Sequence, residues 1–244
     1  MILFRGYSQD PRHEHRQRET RERLEELKPL LDRRGWTIID RPLGTALGED
    51  GLSDYERSIV ELWGEEDLVI LEHDLVPTLD MMIALEPDTH LICAQAYNLY
   101  LDGDKLSTID LAYHMMQQMD DENRKKAEDH GICVQAYYLW HAAYKPDIHA
   151  KNRYIPAIAH RVVEEEPNKH RWAIEGEEWA DYYGLGLTRF SKEFMKNHPP
   201  DWECGGWQDL DTRISKWTHS LGIKAHIHYP ICKHNHIGND PIIR

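Results

Sequence analysis

The segment from Asp67 to Pro77, DLVILEHDLVP, constrains the fold more than any other stretch of the chain. Leu68 to Leu71 is a short, unbroken, β-favouring apolar run, the pattern of a strand covered on both faces. It stops abruptly at Glu72-His73-Asp74, two carboxylates and an imidazole that a hydrophobic core does not accept unpaired. In open α/β sheets, ligands bind outside the carboxyl ends of the strands. The segment therefore predicts a central strand that delivers a polar site at its C-terminal end. Carboxylate oxygens there suit a hard divalent cation, which would in turn hold phosphates. A strand followed by an ordinary polar turn is the competing reading, and a second polar cluster near the C-terminus favours the first.

The neighbouring pattern supplies the fold class. Residues 2–4 read as a short strand, followed by a turn at Arg5-Gly6-Tyr7-Ser8. Residues 11–34 are charged, with Leu24, Leu27, Leu30 and Leu31 at helical spacing, Pro29 as a candidate kink and Gly35 as the stop. Residues 36–40 form a second strand, and the glycines and proline of 41–51 form a loop. Ser53 is an N-cap for a helix through Trp63, with Glu56 as its capping-box partner. Strand, helix, strand, helix, strand is the signature of a parallel α/β sheet. Beyond it, 78–85 reads as a short helix. Residues 91–100 and 132–140 read as two strands sharing Ile-Cys-X-Gln-Ala-Tyr-X-Leu, with a helix within 107–129. Further helices are expected over 156–165, 191–197 and 209–221, and the tail after Gly222 is extended. No linker divides the chain, so residues 1–244 are expected to form a single domain with a mixed, mainly parallel central sheet flanked by helices.

Composition narrows the partners. The formal net charge of −14 argues against broad binding to a phosphate backbone, which needs a basic surface. Arg12, Arg16, Arg18, Arg21 and Arg23 crowd the first helix, but Glu14, Glu19, Glu22, Glu25 and Glu26 lie among them; Lys145, Lys151, Arg153 and Arg161 fall in one later segment. No apolar run approaches the ~20 residues that span a bilayer, and the N-terminus lacks the apolar core of a secretory signal. Cys93, Cys133, Cys204 and Cys232 have no metal-ligand spacing; Cys93 and Cys133, in apolar runs, are expected to be reduced core residues, with a cytoplasmic setting.

Three further groups could carry chemistry. His226 and His228 share one face if their segment is a strand, and His234 and His236 repeat the pattern after a turn at Pro230. At least one of the four is expected to bind metal. Asp209 and Asp211 open the last helix; either could cap it, or serve as a general base for an incoming hydroxyl. Gly184 and Gly186 would let the backbone approach a ligand, or make a turn.

These pieces, in this order, resemble the GT-A class of nucleotide-sugar glycosyltransferases, in particular its small, phage-associated members. The resemblance implies a GT-A-like fold in which residues 1–77 form the nucleotide-binding half and 78–244 the acceptor half, with a C-terminal metal-binding tail. It implies Mn²⁺ or Mg²⁺ held by Asp74, with Glu72 at the ribose or the metal's water shell, and a histidine among His226, His228, His234 and His236 completing the site. Asp209, or Asp211 as second choice, would be the base. Arg5, Tyr7 and Asp40, at strand ends, are expected nucleotide contacts, joined by Gly184 and Gly186. The chain departs from the family where Glu72 stands for an aspartate and Gln208 for a glutamate, and its N-terminal half is one strand-helix unit shorter.

The resulting expectation is metal-dependent transfer of a sugar from a nucleoside-diphosphate sugar to an acceptor hydroxyl. A glycan, small molecule or protein is the first choice of acceptor and a hydroxymethylated base in phage DNA the second. Two other readings stand beside it: a zinc-dependent hydrolase built on the four C-terminal histidines, and a non-catalytic sugar-nucleotide-binding protein.

Overall fold

A computed structural model describes residues 1–9, 11, 14–43, 52–87, 89–97, 157–163, 170–202 and 210–235. Their order is β1 (Ile2–Ser8), α1 (Glu14–Arg33), β2 (Thr37–Leu43), α2 (Asp54–Leu62), β3 (Leu68–Leu71), β4 (Leu75–Val76), α3 (Leu79–Ala84), β5 (Ile92–Tyr97), β6 (Ala157–Val163), β7 (His170–Ile174), β8 (Trp179–Ala180), β9 (Leu187–Phe190), α4 (Lys192–Asn197), α5 (Leu210–Ser220) and β10 (Ala225–His234). Eight strands make one sheet in the order β2-β1-β3-β9-β5-β10-β4, with β8 also paired to β10. β1, β2, β3, β5 and β10 point the same way, while β9, β4 and β8 run against them. The sheet is thus mixed and mostly parallel, and it draws strands from both halves of the chain. β6 and β7 form a separate antiparallel pair.

Local chemistry explains the helices. Leu24, Leu27 and Leu31 of α1 are buried on one face, against Leu3, Val69 and Leu71 of the sheet. Each such side chain contributes about 1.5–3 kcal/mol when fully buried. α1 continues through Pro29. It closes with Trp36 N–H donating to Leu31 O (3.0 Å) around Gly35, whose φ of +80° suits glycine. Ser53 and Glu56 form the expected capping box on α2. Thr78 and Ser191 cap α3 and α4 by accepting from the Met81 and Phe194 N–H groups.

The opposite face carries Phe4, Leu68, Ile70, Phe190 and Phe194. There Trp63 lies 5.3 Å from the rings of Phe190 and Trp202 and 6.0 Å from Trp217. Two arginines are buried inside the sheet layer. Arg189, 1% exposed, donates to Asp67 (3.1 Å) and to His90 O (2.6 Å). Arg5, equally buried, faces its register partner Asp40 at 3.2 Å.

Three expectations are corrected. Residues 157–163 are a strand, not a helix: Ile158 and His160 are buried while Ala159 and Arg161 are not, the period of two that pairing with β7 selects. Arg5 to Ser8 and Arg41 to Leu43 are not turn and loop; β1 and β2 stay in parallel register from Ile2↔Thr37 to Ser8↔Leu43. The glycine-led segment after Gly186 becomes β9, an antiparallel strand between β3 and β5. The helix expected within 107–129, the strand over 132–140, residues 44–51, and Cys133, Cys204, Arg12, Lys145, Lys151 and Arg153 lie outside the described residues.

Candidate functional site

The parallel strands end at one edge of the sheet, and there the acidic motif is clamped from two sides. Glu72 N–H donates to Gly186 O (2.7 Å) at the entry to β9, and Asn235 N–H donates to Asp74 O (2.8 Å) at the exit of β10. β4 follows at once and pairs with β10, setting Leu75 opposite His234. This pairing brings the His234 Nε2 to 3.5 Å from Asp74 Oδ2, with both side chains nearly sealed, 8% and 5% exposed. The sheet thus joins two residues from distant parts of the chain.

Glu72, Asp211 and Asp74 act together on two buried tyrosines. The phenols of Tyr55 and Tyr97 are both pushed well above their ordinary range, first by burial and then by Glu72, Asp211 and Asp74 in the same order. Both tyrosines thus feel the negative charge of the same three carboxylates. The Tyr97 ring stands edge-on to His234 at 5.2 Å and to His160 at 5.7 Å. Tyr55 stacks on Phe4, and its buried hydroxyl has no hydrogen-bond partner among the described residues. A buried hydroxyl of this kind costs about 1–3 kcal/mol unless a ligand or water satisfies it.

Asp211 sits in the first turn of α5, where its Oδ1 accepts from Thr212 N–H at 2.7 Å. Two residues on, Arg213 pairs with the buried Glu56 of the α2 capping box. Burial alone would raise the Glu56 carboxyl, but Ser53 N–H, Arg213 and the Ser53 hydroxyl together hold it below its usual value. The start of α5 is thereby fixed to the start of α2, beside Tyr55.

Gly184 and Gly186 have a packing role at this edge. A Cβ on Gly184 would overlap the Tyr97 hydroxyl and lie 2.9 Å from its Cζ; one on Gly186 would overlap Leu75 Cδ1 and lie 2.8 Å from Tyr97 Cε1. They admit a tyrosine ring where a ligand contact was expected. Gly186→Ala is expected to cost about 1–3 kcal/mol by overpacking, read as a lower urea midpoint at unchanged slope.

His160 is fully buried, and burial pushes its imidazole down to about 4, against backbone groups of Ala159 and Gln95 that act the other way. The folded state therefore holds it neutral while the unfolded chain protonates it near pH 6.5. Stability from this residue is complete above that pH and is lost as pH falls towards 4, by about 2–3 kcal/mol. Urea unfolding at pH 7.5, 6 and 5 is expected to show that loss, with His160→Gln flattening it.

The remaining expected residues divide. Arg5 and Asp40 lie side by side on β1 and β2, and Arg5 stands 5.4 Å from the Tyr7 ring. Burial lowers the Arg5 pKa and raises that of Asp40, each opposed by the other's charge. His226 and His228 are not with His234. His226 pairs with Cys93 and Trp179 at the start of β10, roughly 20–25 Å of extended strand away. Among the described residues, His226 and His228 are thus held apart from His234, because one long strand carries them to opposite ends. Asp209 and His236 lie outside the described residues.

No protein-family model matches the chain, and no curated protein does. Among solved structures, the crystal structure of A197 from STIV aligns with a TM-score of 0.45 and 12% identity, over 93% of this chain and 80% of that one. The functional reading therefore rests on the residues themselves. Sequence reasoning missed Tyr55, Tyr97 and His160 at this edge. Tyr97 ends an apolar run and Tyr55 lies in the first turn of a capped helix, so neither carries a local sign of the carboxylates beside it.

Proposed function

We propose that the chain is a metal-dependent glycosyltransferase acting on a nucleoside-diphosphate sugar. The observation that carries this reading is the meeting of Asp74 and His234 at the carboxyl edge of the sheet. The mixed, mostly parallel sheet is compatible with the GT-A-like expectation, though that fold is itself part of the proposal. The donor set fits the metal. A carboxylate oxygen and an imidazole nitrogen 3.5 Å apart match two ligands at about 2.1–2.3 Å from a common cation. The Tyr55 hydroxyl is a group that a bound donor would satisfy. Asp74 and His234 would hold Mn²⁺ or Mg²⁺, which when bound neutralises charge developing on the diphosphate leaving group.

The chain's own residues do the rest. Glu72, held by its N–H on Gly186, faces the ribose or the waters around the cation. Asp211 accepts the proton of the acceptor hydroxyl as its oxygen bonds to the anomeric carbon and the bond to the diphosphate breaks. Asp209 is the other candidate for that base. For the acceptor, Arg21 pairs with Glu14 (2.6 Å) and Arg23 with Glu26 (2.8 Å), so these arginines of α1 are neutralised by their own helix. This supports a glycan, small-molecule or protein hydroxyl ahead of modified DNA. Among the described residues no helix is long and apolar enough to cross a membrane.

Calorimetry with a panel of nucleoside diphosphates, with Mn²⁺ and with EDTA, tests the reading, together with donor hydrolysis in the same buffers. Metal-dependent binding of one of them is expected. Binding of none, or turnover indifferent to EDTA, would overturn it.

A further inference from the structure

The opposite edge of the sheet carries a second constellation. His90, Cys93 and His226 each offer one donor atom, and these atoms lie within 4.8 Å of one another. Cys93 and His226 are register partners on the parallel strands β5 and β10, so their side chains leave the same face. His90, just before β5, stacks on His226 with ring centroids 4.0 Å apart. A fourth donor is adjacent: His228 Nε2 lies 3.3 Å from His226 Nδ1.

The sulfur is fixed in place. Arg189 Nη2 is 3.4 Å from Cys93 Sγ, and Cys93 is fully buried. Asp67 balances that guanidinium at 3.1 Å, so the cation does not bar a metal from the sulfur. Trp179 closes the flank, 5.2 Å from the His90 ring and 5.1 Å from that of His226.

We propose that His90, Cys93 and His226 bind Zn²⁺, with His228 as the fourth ligand, in a structural site that fastens β10 to β5 and to the segment before it. One thiolate with imidazoles is a donor set for zinc, and a site with four protein ligands is closed and structural rather than catalytic. Zinc–sulfur and zinc–nitrogen bonds of about 2.3 and 2.0–2.1 Å require donors some 3.3–3.7 Å apart. The side chains of His90, Cys93 and His226 would therefore draw in by about 1 Å, and His228 would turn in further from beside His226, adjustments that rotation of the partly exposed histidines allows. This site does not depend on the transferase reading, because it shares no residue with the Asp74–His234 edge.

The test uses the full chain. Purified protein, dialysed against a weak chelator, is expected to retain one equivalent of zinc by elemental analysis. Replacing the zinc with Co²⁺ is expected to give the visible bands of a tetrahedral ion and the near-ultraviolet charge transfer of a cobalt–thiolate bond. Cys93→Ser is expected to abolish the charge transfer, and His226→Gln to weaken zinc binding at least 10–100-fold. Asp74→Asn is expected to leave zinc bound, which separates this site from the proposed nucleotide-metal site. Zinc below a tenth of an equivalent after zinc is added back would overturn the proposal. So would Co²⁺ that binds without thiolate charge transfer, a reading taken on the unmodified chain and independent of how the variants fold.

Discussion

Under the proposed transferase reading, Asp74→Asn is expected to lower donor turnover by about 10²–10³-fold while the fold is retained. The substitution keeps the shape of the side chain and leaves the Asp74 carbonyl free to accept from Asn235 N–H at 2.8 Å. What it removes is the negative charge beside His234, in a site where both side chains are nearly sealed from water. An electrostatic contact in such a site is worth far more than at the surface, and its loss carries a penalty of this size. Steady-state donor hydrolysis with saturating Mn²⁺ gives the number, with circular dichroism and the urea midpoint as folding controls. Turnover within threefold of the parent would remove Asp74 from the metal site, whatever the activity proves to be.

Asp67→Ala costs about 3–5 kcal/mol of stability, the expected result of leaving a buried cation without its counter-charge. Arg189 is 1% exposed and lies in the central strand β9, where the Asp67 carboxylate reaches it at 3.1 Å. The second oxygen of Asp67 accepts from Lys192 N–H at 2.7 Å, so the substitution also uncaps the first turn of α4. Replacing both partners, Asp67→Ala with Arg189→Met, is expected to recover most of the loss, because the uncompensated charge goes with the arginine. Urea unfolding of the two variants and the parent measures both quantities. A single-variant cost below about 1 kcal/mol would mean that Arg189 reaches water when Asp67 is gone.

The same ion pair shows why part of this molecule could not be read from its sequence. Arg189 follows a glycine-led stretch that resembles a loop, and nothing within it announces a strand buried on both sides. It becomes one because it pairs antiparallel with both β3 and β5. Residues 157–163 are a parallel case: the run suits a short helix until β7 pairs with it. Short apolar runs are ambiguous in this way, and partners at long range decide them.

The histidines make the point for the site. At least one of the four was expected to bind metal, and their nearness in sequence left open which. An extended strand instead carries His234 to Asp74 and leaves His226 beside Cys93 and His90.

What the sequence determined by itself is the set of features made by contiguous backbone: the Ser53–Glu56 capping box, the Gly35 stop, the leucine face of α1, and a buried β3 ending in Glu72 and Asp74. Each depends on hydrogen bonds or side-chain spacing within a few residues, so the local order of residue types suffices. Only the tertiary structure decided which strand lies beside which, and hence that Asp74 meets His234, that Gly184 and Gly186 make room for Tyr97, and that Cys93 faces His226. Those contacts follow from strand order and register, which are set by competition among all the strands for partners and burial.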